Sequence, residues 1–118
     1  EFELASGEVL YDVAIVDTGA PMSLVPRRIW AQCDVEVLGE HEVKGVGLPP
    51  VRAVPTYVGR IGFWLLSGGV RMLEVRAVAH LAKSDVVPLV LGVRDVLDRF
   101  ELSISYPLRA AQLRVVRQ

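Results

Sequence analysis

Cysteine and histidine are scarce in this sequence, and their scarcity excludes two classes of small domain. Cys33 is the single cysteine, so no internal disulfide framework is possible, and His41 and His80 are the only histidines. Together they supply too few soft ligands for a structural zinc site. We therefore expect Cys33 to be a small buried residue rather than a nucleophile, and we expect neither a metal nor a cofactor.

Long apolar runs and an excess of charge of one sign are also missing. No segment approaches the roughly 18–20 apolar residues that span a bilayer, and no basic-then-apolar leader opens the chain. The 13 basic and 14 acidic residues are interspersed, unlike the basic footprint of a nucleic-acid binder. Arg109, Arg114 and Arg117 are interpreted as a solvated strand face. We expect a soluble cytoplasmic domain without nucleic-acid or membrane partners.

The apolar content suits one compact unit. The 118 residues, 52% of them hydrophobic, fit one domain over residues 1–118 and are too few for two. Because the chain begins with Glu1 rather than Met, we expect it to be part of a longer protein.

Short apolar and β-branched runs, separated by glycine and proline, predict an all-β fold of about seven to nine strands. Residues 34–58 predict a long hairpin with a glycine-rich tip, and Ser67-Gly68-Gly69 predicts the turn of a second hairpin. The other expected strands are residues 9–16, 22–25, 86–91, 100–105 and 112–116.

Two helical segments are expected. Val96, Leu97 and Phe100 have the spacing of one side of a short helix, so residues 94–100 predict the main helix. A shorter helical turn is expected after Pro26, because proline is favoured near a helix start.

The feature that carries chemistry is Asp17-Thr18-Gly19-Ala20, which directly follows the apolar run of residues 9–16. A carboxylate at the end of a buried strand needs specific hydrogen bonds to offset its desolvation. Gly19 lacks the Cβ that would block a close backbone approach, so main-chain N–H groups can point at the carboxylate. The pattern makes Asp17 the candidate catalytic residue.

These four residues resemble the active-site loop of the retropepsin family, the retroviral-type aspartic peptidases. Residues 22–26 are similar to the family's continuation after that loop, and Val90-Leu91-Gly92 looks like the strand that threads beside the loop. These two signatures, the Asp17-Thr18-Gly19-Ala20 loop as the first and Val90-Leu91-Gly92 as the second, occur in the family's order. The resemblance implies a retropepsin-like closed, orthogonal β-barrel with one short helix in the C-terminal half and one active-site loop per chain.

Two positions depart from the family's pattern. Val93 is an extra residue where many relatives pass directly from the glycine to an arginine, which puts the helix start in doubt. Pro21 stands where retroviral enzymes usually carry an acidic residue that contacts substrate.

The resemblance also implies a flap, a hairpin that closes over bound peptide. Residues 43–58 are the candidate, with Gly45, Val46, Gly47 and Leu48 near its tip. Glycines would let the tip open and close. An ordinary hairpin turn remains the alternative, since glycine and proline mark every kind of turn.

The implied mechanism requires a second chain. Peptide hydrolysis by this route uses two carboxylates that share one proton. Asp85, Asp95 and Asp98 lack the following Thr/Ser-Gly, and Asp95 and Asp98 are expected on a helix surface in capping or ion-pair roles. We therefore expect a two-fold homodimer acting on a peptide or protein substrate, with residues 2–4 or 113–116 as candidates for a shared sheet.

Two other functions stay open. The first is a retropepsin-like dimerisation or peptide-binding module with weak or no catalysis, since a fold does not secure an activity. The second is an aspartyl-phosphate site, which would need alternating strands and helices, a lysine partner and magnesium-binding acids that this sequence does not arrange.

Overall fold

The computed structural model describes residues 1–44 and 53–116, which form mainly β-strands. The expected all-β class is confirmed. The described residues contain one short α-helix, α1 (Arg27–Trp30), and one 3₁₀ helix (Leu97–Arg99). The strands are β1 (Phe2–Glu3), β2 (Val9–Leu10), β3 (Ile15–Val16), β4 (Ser23–Val25), β5 (Glu36–Lys44), β6 (Ala53–Ser67), β7 (Val70–Ala82), β8 (Val90–Leu91), β9 (Phe100–Ser105) and β10 (Ala110–Val115).

A six-stranded sheet in the order β3-β8-β4-β7-β6-β5 forms the centre of the molecule. Strands β5, β6 and β7 are antiparallel neighbours, and β4 runs parallel to β7. Strand β8 lies between β3 and β4, parallel to the first and antiparallel to the second. The pairs β1-β2 and β9-β10 form two separate two-stranded sheets.

Both expected hairpins are present in the described residues. Strands β6 and β7 turn at Gly68 and Gly69, whose φ values of 56° and 80° lie in the left-handed region that a two-residue hairpin turn requires. Strands β5 and β6 pair from Glu36 with Arg60 to Lys44 with Ala53. The expected flap tip, with Gly45, Val46, Gly47 and Leu48, lies outside the described residues.

The apolar core is divided between the two sides of the sheet. The larger cluster includes Ile29, Ile61, Val75 and Leu81, and the smaller one contains Leu24, Val54, Ala82, Val87 and Val90. The side chains of β8 alternate between them, because Leu91 belongs to the first cluster and Val90 to the second. Burial of each such side chain stabilises the fold by about 1.5–3 kcal/mol, so β8 is anchored from both faces.

The prediction of one buried strand over residues 9–16 is wrong. The segment divides into β2 and β3, and Val13, Ile15 and Val16 are 89%, 55% and 41% exposed. Strand β3 is the end strand of its sheet, bonded to β8 on one side. Its apolar side chains therefore lie on an uncovered surface of the single chain.

The prediction that residues 94–100 form the main helix is also wrong. Asp95 has a φ of 63°, which interrupts a right-handed helix, and only the 3₁₀ helix Leu97–Arg99 follows it. The Asp95 carboxylate accepts a hydrogen bond from the Val78 N–H at 3.0 Å. Asp95 thus ties this turn to β7 instead of lying on a helix surface. The α-helix lies directly after Pro26, where a helical turn was expected.

The expected closed barrel is not observed in residues 1–44 and 53–116. The sheet order ends at β3 on one side and at β5 on the other, and these two strands are not paired with each other. Residues 2–3 pair with β2 and residues 110–115 pair with β9, so both terminal segments are already paired within their own chain. No helix in the described parts is long and apolar enough to cross a membrane.

Candidate active site

Main-chain hydrogen bonds, within the loop and to β8, hold the Asp17 loop. The Asp17 N–H donates to the Leu91 carbonyl oxygen at 3.0 Å, and the Ala20 N–H donates to the Asp17 carbonyl oxygen at 3.2 Å. The Gly19 N–H donates to Asp17 Oδ1 at 2.9 Å, which is the contact expected from the sequence. A Cβ on Gly19 would lie 3.3 Å from the same oxygen. The loop therefore fixes the carboxylate while leaving Asp17 exposed.

The strand β8 and the residues after it hold the loop from the other side. The Val93 N–H donates to the Ala20 carbonyl oxygen and the Arg94 N–H to that of Pro21, both at 2.9 Å. The extra residue Val93 thus takes part in the pairing with the loop. Because β8 is packed into both core clusters, these bonds restrain the position of the loop that carries Asp17.

Gly92 is required by the close approach of the two segments. A Cβ at this position would lie 2.4 Å from the Met22 carbonyl carbon, 2.5 Å from the Met22 oxygen and 2.7 Å from the Ala20 oxygen. The Gly92 N–H donates to Ser23 Oγ at 2.9 Å, and both residues are buried. Ser23 was not predicted from the sequence as the buried acceptor for the Gly92 N–H, although its position directly after the loop, in residues 22–26, was a usable signal.

A cavity of about 280 Å³ opens beside the Asp17 carboxylate. Its described lining residues are Asp17, Gly19, Ala20, Pro21, Met22, Leu24, Val43, His80 and Val90. Among these, only Asp17 and His80 have ionisable side chains, and most of the others are apolar. The structure thus brings together the Asp17 loop, Val90 of the second signature and Val43 of β5. Pro21 also lines the cavity, so the position where retroviral enzymes usually have an acidic residue has none here.

His80 was considered in the sequence only as a possible metal ligand. Its Nδ1 lies 3.3 Å from Thr56 Oγ1, and its ring stacks on that of His41 with centroids 5.2 Å apart. Burial lowers the pKa of His80 below its ordinary value, and the neighbouring His41 lowers it further. His80 is therefore uncharged near neutral pH. The signal in the sequence was a histidine inside the apolar run of residues 77–82.

A second, open groove of about 880 Å³ lies next to the loop. Thr18 lines this groove and not the cavity beside Asp17. Most other lining residues are apolar: Val16, Leu66, Met72, Leu102, Ile104, Ala111, Leu113 and Val115, with Ser67, Gln112 and Arg114. Apolar surface thus extends from β3 to the hairpin β9-β10.

The other aspartates considered in the sequence are not brought to Asp17. Asp85 accepts a hydrogen bond from the Arg28 N–H and Asp95 from the Val78 N–H, and neither these nor Asp98 line the cavity. Within the described residues, Asp17 is the one carboxylate of this cavity.

Neither metal nor thiol chemistry finds support among the described residues. No group of three or more His, Cys, Asp or Glu side chains there could hold a metal ion. Cys33 Sγ lies 3.4 Å from the Ile29 carbonyl oxygen. Burial, aided by the Asp34 charge, raises the pKa of the Cys33 thiol, so the thiol stays protonated and is a poor nucleophile.

Comparisons of the chain with models of protein families, with curated proteins and with solved structures found no match. Geometry and residue chemistry therefore carry the functional proposal.

Proposed function

We propose that this chain is one subunit of a homodimeric aspartic endopeptidase with a retropepsin-like fold. The observation that carries the proposal is the exposed Asp17 carboxylate, fixed by the Gly19 N–H at 2.9 Å and placed at an apolar cavity. The threading of β8 between β3 and β4, which brings Val90, Leu91 and Gly92 against the loop, supports the likeness to the family.

One carboxylate is not sufficient for this chemistry. In a pair that shares one proton, the ionised member takes a proton from water while the water oxygen attacks the peptide carbonyl carbon. The protonated member gives its proton to the carbonyl oxygen, and the resulting diol collapses with protonation of the leaving nitrogen. Because the described residues place no second carboxylate at the cavity, the partner acid is Asp17 of a second copy.

The uncovered apolar surface beside Asp17 supports that assembly. Val13, Ile15 and Val16 are 89%, 55% and 41% exposed. With about 1.5–3 kcal/mol for complete burial of one such side chain, the exposed fractions of these three residues on two subunits contribute roughly 6–11 kcal/mol. That only offsets an association cost of about 4–15 kcal/mol. The exposed Leu102 and Ile104 of β9, which line the adjoining groove, therefore belong to the proposed interface.

An extended peptide is the substrate that fits the site best. Strand β5 ends the six-stranded sheet, and its residue Val43 lines the cavity together with Asp17. The open edge of an end strand can pair with an extended chain through backbone hydrogen bonds. A peptide bound in this way would pass the Asp17 carboxylate while one of its side chains enters the cavity.

Digestion of an unbiased peptide library tests the proposal. Asp17→Asn removes the acid–base group but retains the side-chain shape, so cleavage should fall by about 100- to 10,000-fold. Asp98→Asn, the same change at an exposed position outside the cavity, is the matched control and should cleave as the wild type does. Equal cleavage by wild type and Asp17→Asn would refute the proposal. Peptide binding without cleavage by the wild type would favour the non-catalytic module.

A further inference from the structure

His80 is a polar group in the cavity that the proposed acid–base mechanism does not use. It lies on β7, in register with Val58 of β6 and Leu24 of β4. Strand alternation places it on the same side of the sheet as the smaller core cluster. Among the described lining residues, only His80 and Asp17 have ionisable side chains. Its imidazole therefore places a hydrogen-bonding group among mostly apolar described lining residues.

The contacts of the Thr56 hydroxyl favour one tautomer of His80. The Thr56 side chain is fully buried, and its hydroxyl donates to the His41 carbonyl oxygen at 3.4 Å. A hydroxyl has one proton, so Thr56 can satisfy both contacts only if its oxygen, 3.3 Å from His80 Nδ1, accepts a hydrogen bond from that nitrogen. The tautomer of neutral His80 that satisfies both contacts carries its proton on Nδ1, and its Nε2 retains a lone pair.

The orientation of the ring is fixed as well. The His41 ring covers one face of the His80 ring, with an angle of 22° between the two planes, and Nδ1 is held by Thr56. His80 lines the cavity and its Nδ1 lies toward Thr56, so we infer that the ring edge with Nε2 faces the cavity and offers a hydrogen-bond acceptor there.

We propose that His80 is a specificity-determining residue and that the cavity selects a substrate side chain that donates a hydrogen bond to Nε2. Side chains with an amide or a hydroxyl, those of asparagine, glutamine, serine and threonine, meet this requirement. A leucine side chain of similar size would leave the acceptor unpaired. One such hydrogen bond corresponds to a preference of about 3- to 10-fold for asparagine over leucine. The inference rests on the proposed function only in taking a peptide as the ligand.

Peptide selection on a catalytically inactive protein tests this inference separately from catalysis. Asp17→Asn is used to capture binders from a displayed random peptide library, so that bound peptides are not cleaved. The same selection is done with Asp17→Asn combined with His80→Leu and with Asp17→Asn combined with His80→Gln, each first checked for folding by circular dichroism. The matched control combines Asp17→Asn with His41→Phe, which keeps an aromatic ring beside His80.

The expected result is one peptide position enriched in amide and hydroxyl side chains. His80→Leu should abolish that enrichment or replace it with apolar side chains, whereas His80→Gln and His41→Phe should retain it. An unchanged preference in folded His80→Leu would overturn the role of His80 and leave the peptidase proposal intact. Loss of the preference in His41→Phe, with the preference retained in His80→Leu, would also overturn the role of His80. A failure of every variant and of the parent to capture any peptide would contradict this inference and the peptide-substrate proposal together.

Discussion

Substitution of Gly92 by alanine is the sharpest test of how the two signatures are joined. The added Cβ would lie 2.4 Å from the Met22 carbonyl carbon and 2.7 Å from the Ala20 oxygen. These neighbours are backbone atoms, so the strain can be relieved only if β8 and the Asp17 loop move apart. Overpacking of this kind costs about 1–3 kcal/mol, and weakening of the Gly92 N–H bond to buried Ser23 costs about 1 kcal/mol more.

The predicted loss is therefore about 2–4 kcal/mol in the free energy of unfolding, from a total of about 5–15 kcal/mol for a typical domain. Urea unfolding of wild type and variant at equal protein concentration measures it. Gly39→Ala is the matched control, because a Cβ there has no heavy atom within 4 Å, and its effect should be near zero. A Gly92→Ala protein as stable as Gly39→Ala, with unchanged peptidase activity, would refute the reasoning.

Three other predictions address the interface and the pH dependence. Ile15→Lys should weaken dimerisation at least about tenfold in sedimentation equilibrium, because a charge would enter the proposed apolar interface, whereas Val86→Lys, exposed but outside the groove, should not. The pKa of His80 is lowered from 6.5 by burial and then by His41. Below about pH 6.5, His80 is therefore protonated to a greater extent in the unfolded chain than in the folded chain. Stability should therefore fall with falling pH in this range, and the fall should be smaller in His80→Gln; identical pH profiles would contradict this cause. Peptidase activity should rise toward mildly acidic pH, since one acid of the pair must hold a proton, and a rate that climbs steadily into alkaline conditions would contradict a shared proton.

Glycines at turn positions in the sequence were enough to predict the β6–β7 turn and the hydrogen bond from the Gly19 N–H to the Asp17 carboxylate. Gly68-Gly69 supplies the positive φ values that a two-residue hairpin turn needs, and Gly19 allows its N–H to reach the Asp17 carboxylate. Such features depend on a few adjacent residues, so one sequence is enough to predict them.

Features set by distant parts of the chain were not predicted. The spacing of residues 94–100 favours a helix, but the Asp95 carboxylate binds the N–H of Val78 on β7, and this tertiary contact overrides the local pattern. The run of residues 9–16 is apolar whether its own chain or a partner covers it, so its exposure could not be inferred. His80 enters the cavity only through the pairing of β7 with β4 and β6, which the sequence does not specify.

The pairing of Asp17 across two chains is tested most directly by mixing subunits. Wild type and Asp17→Asn are combined in equal amounts, allowed to exchange fully, and assayed for peptide cleavage at constant total chain concentration. If each site needs Asp17 from both subunits, only dimers of two wild-type chains are active, and activity should fall to about one quarter of the wild-type value. A value of about one half, which independent sites on each chain would give, would contradict the account.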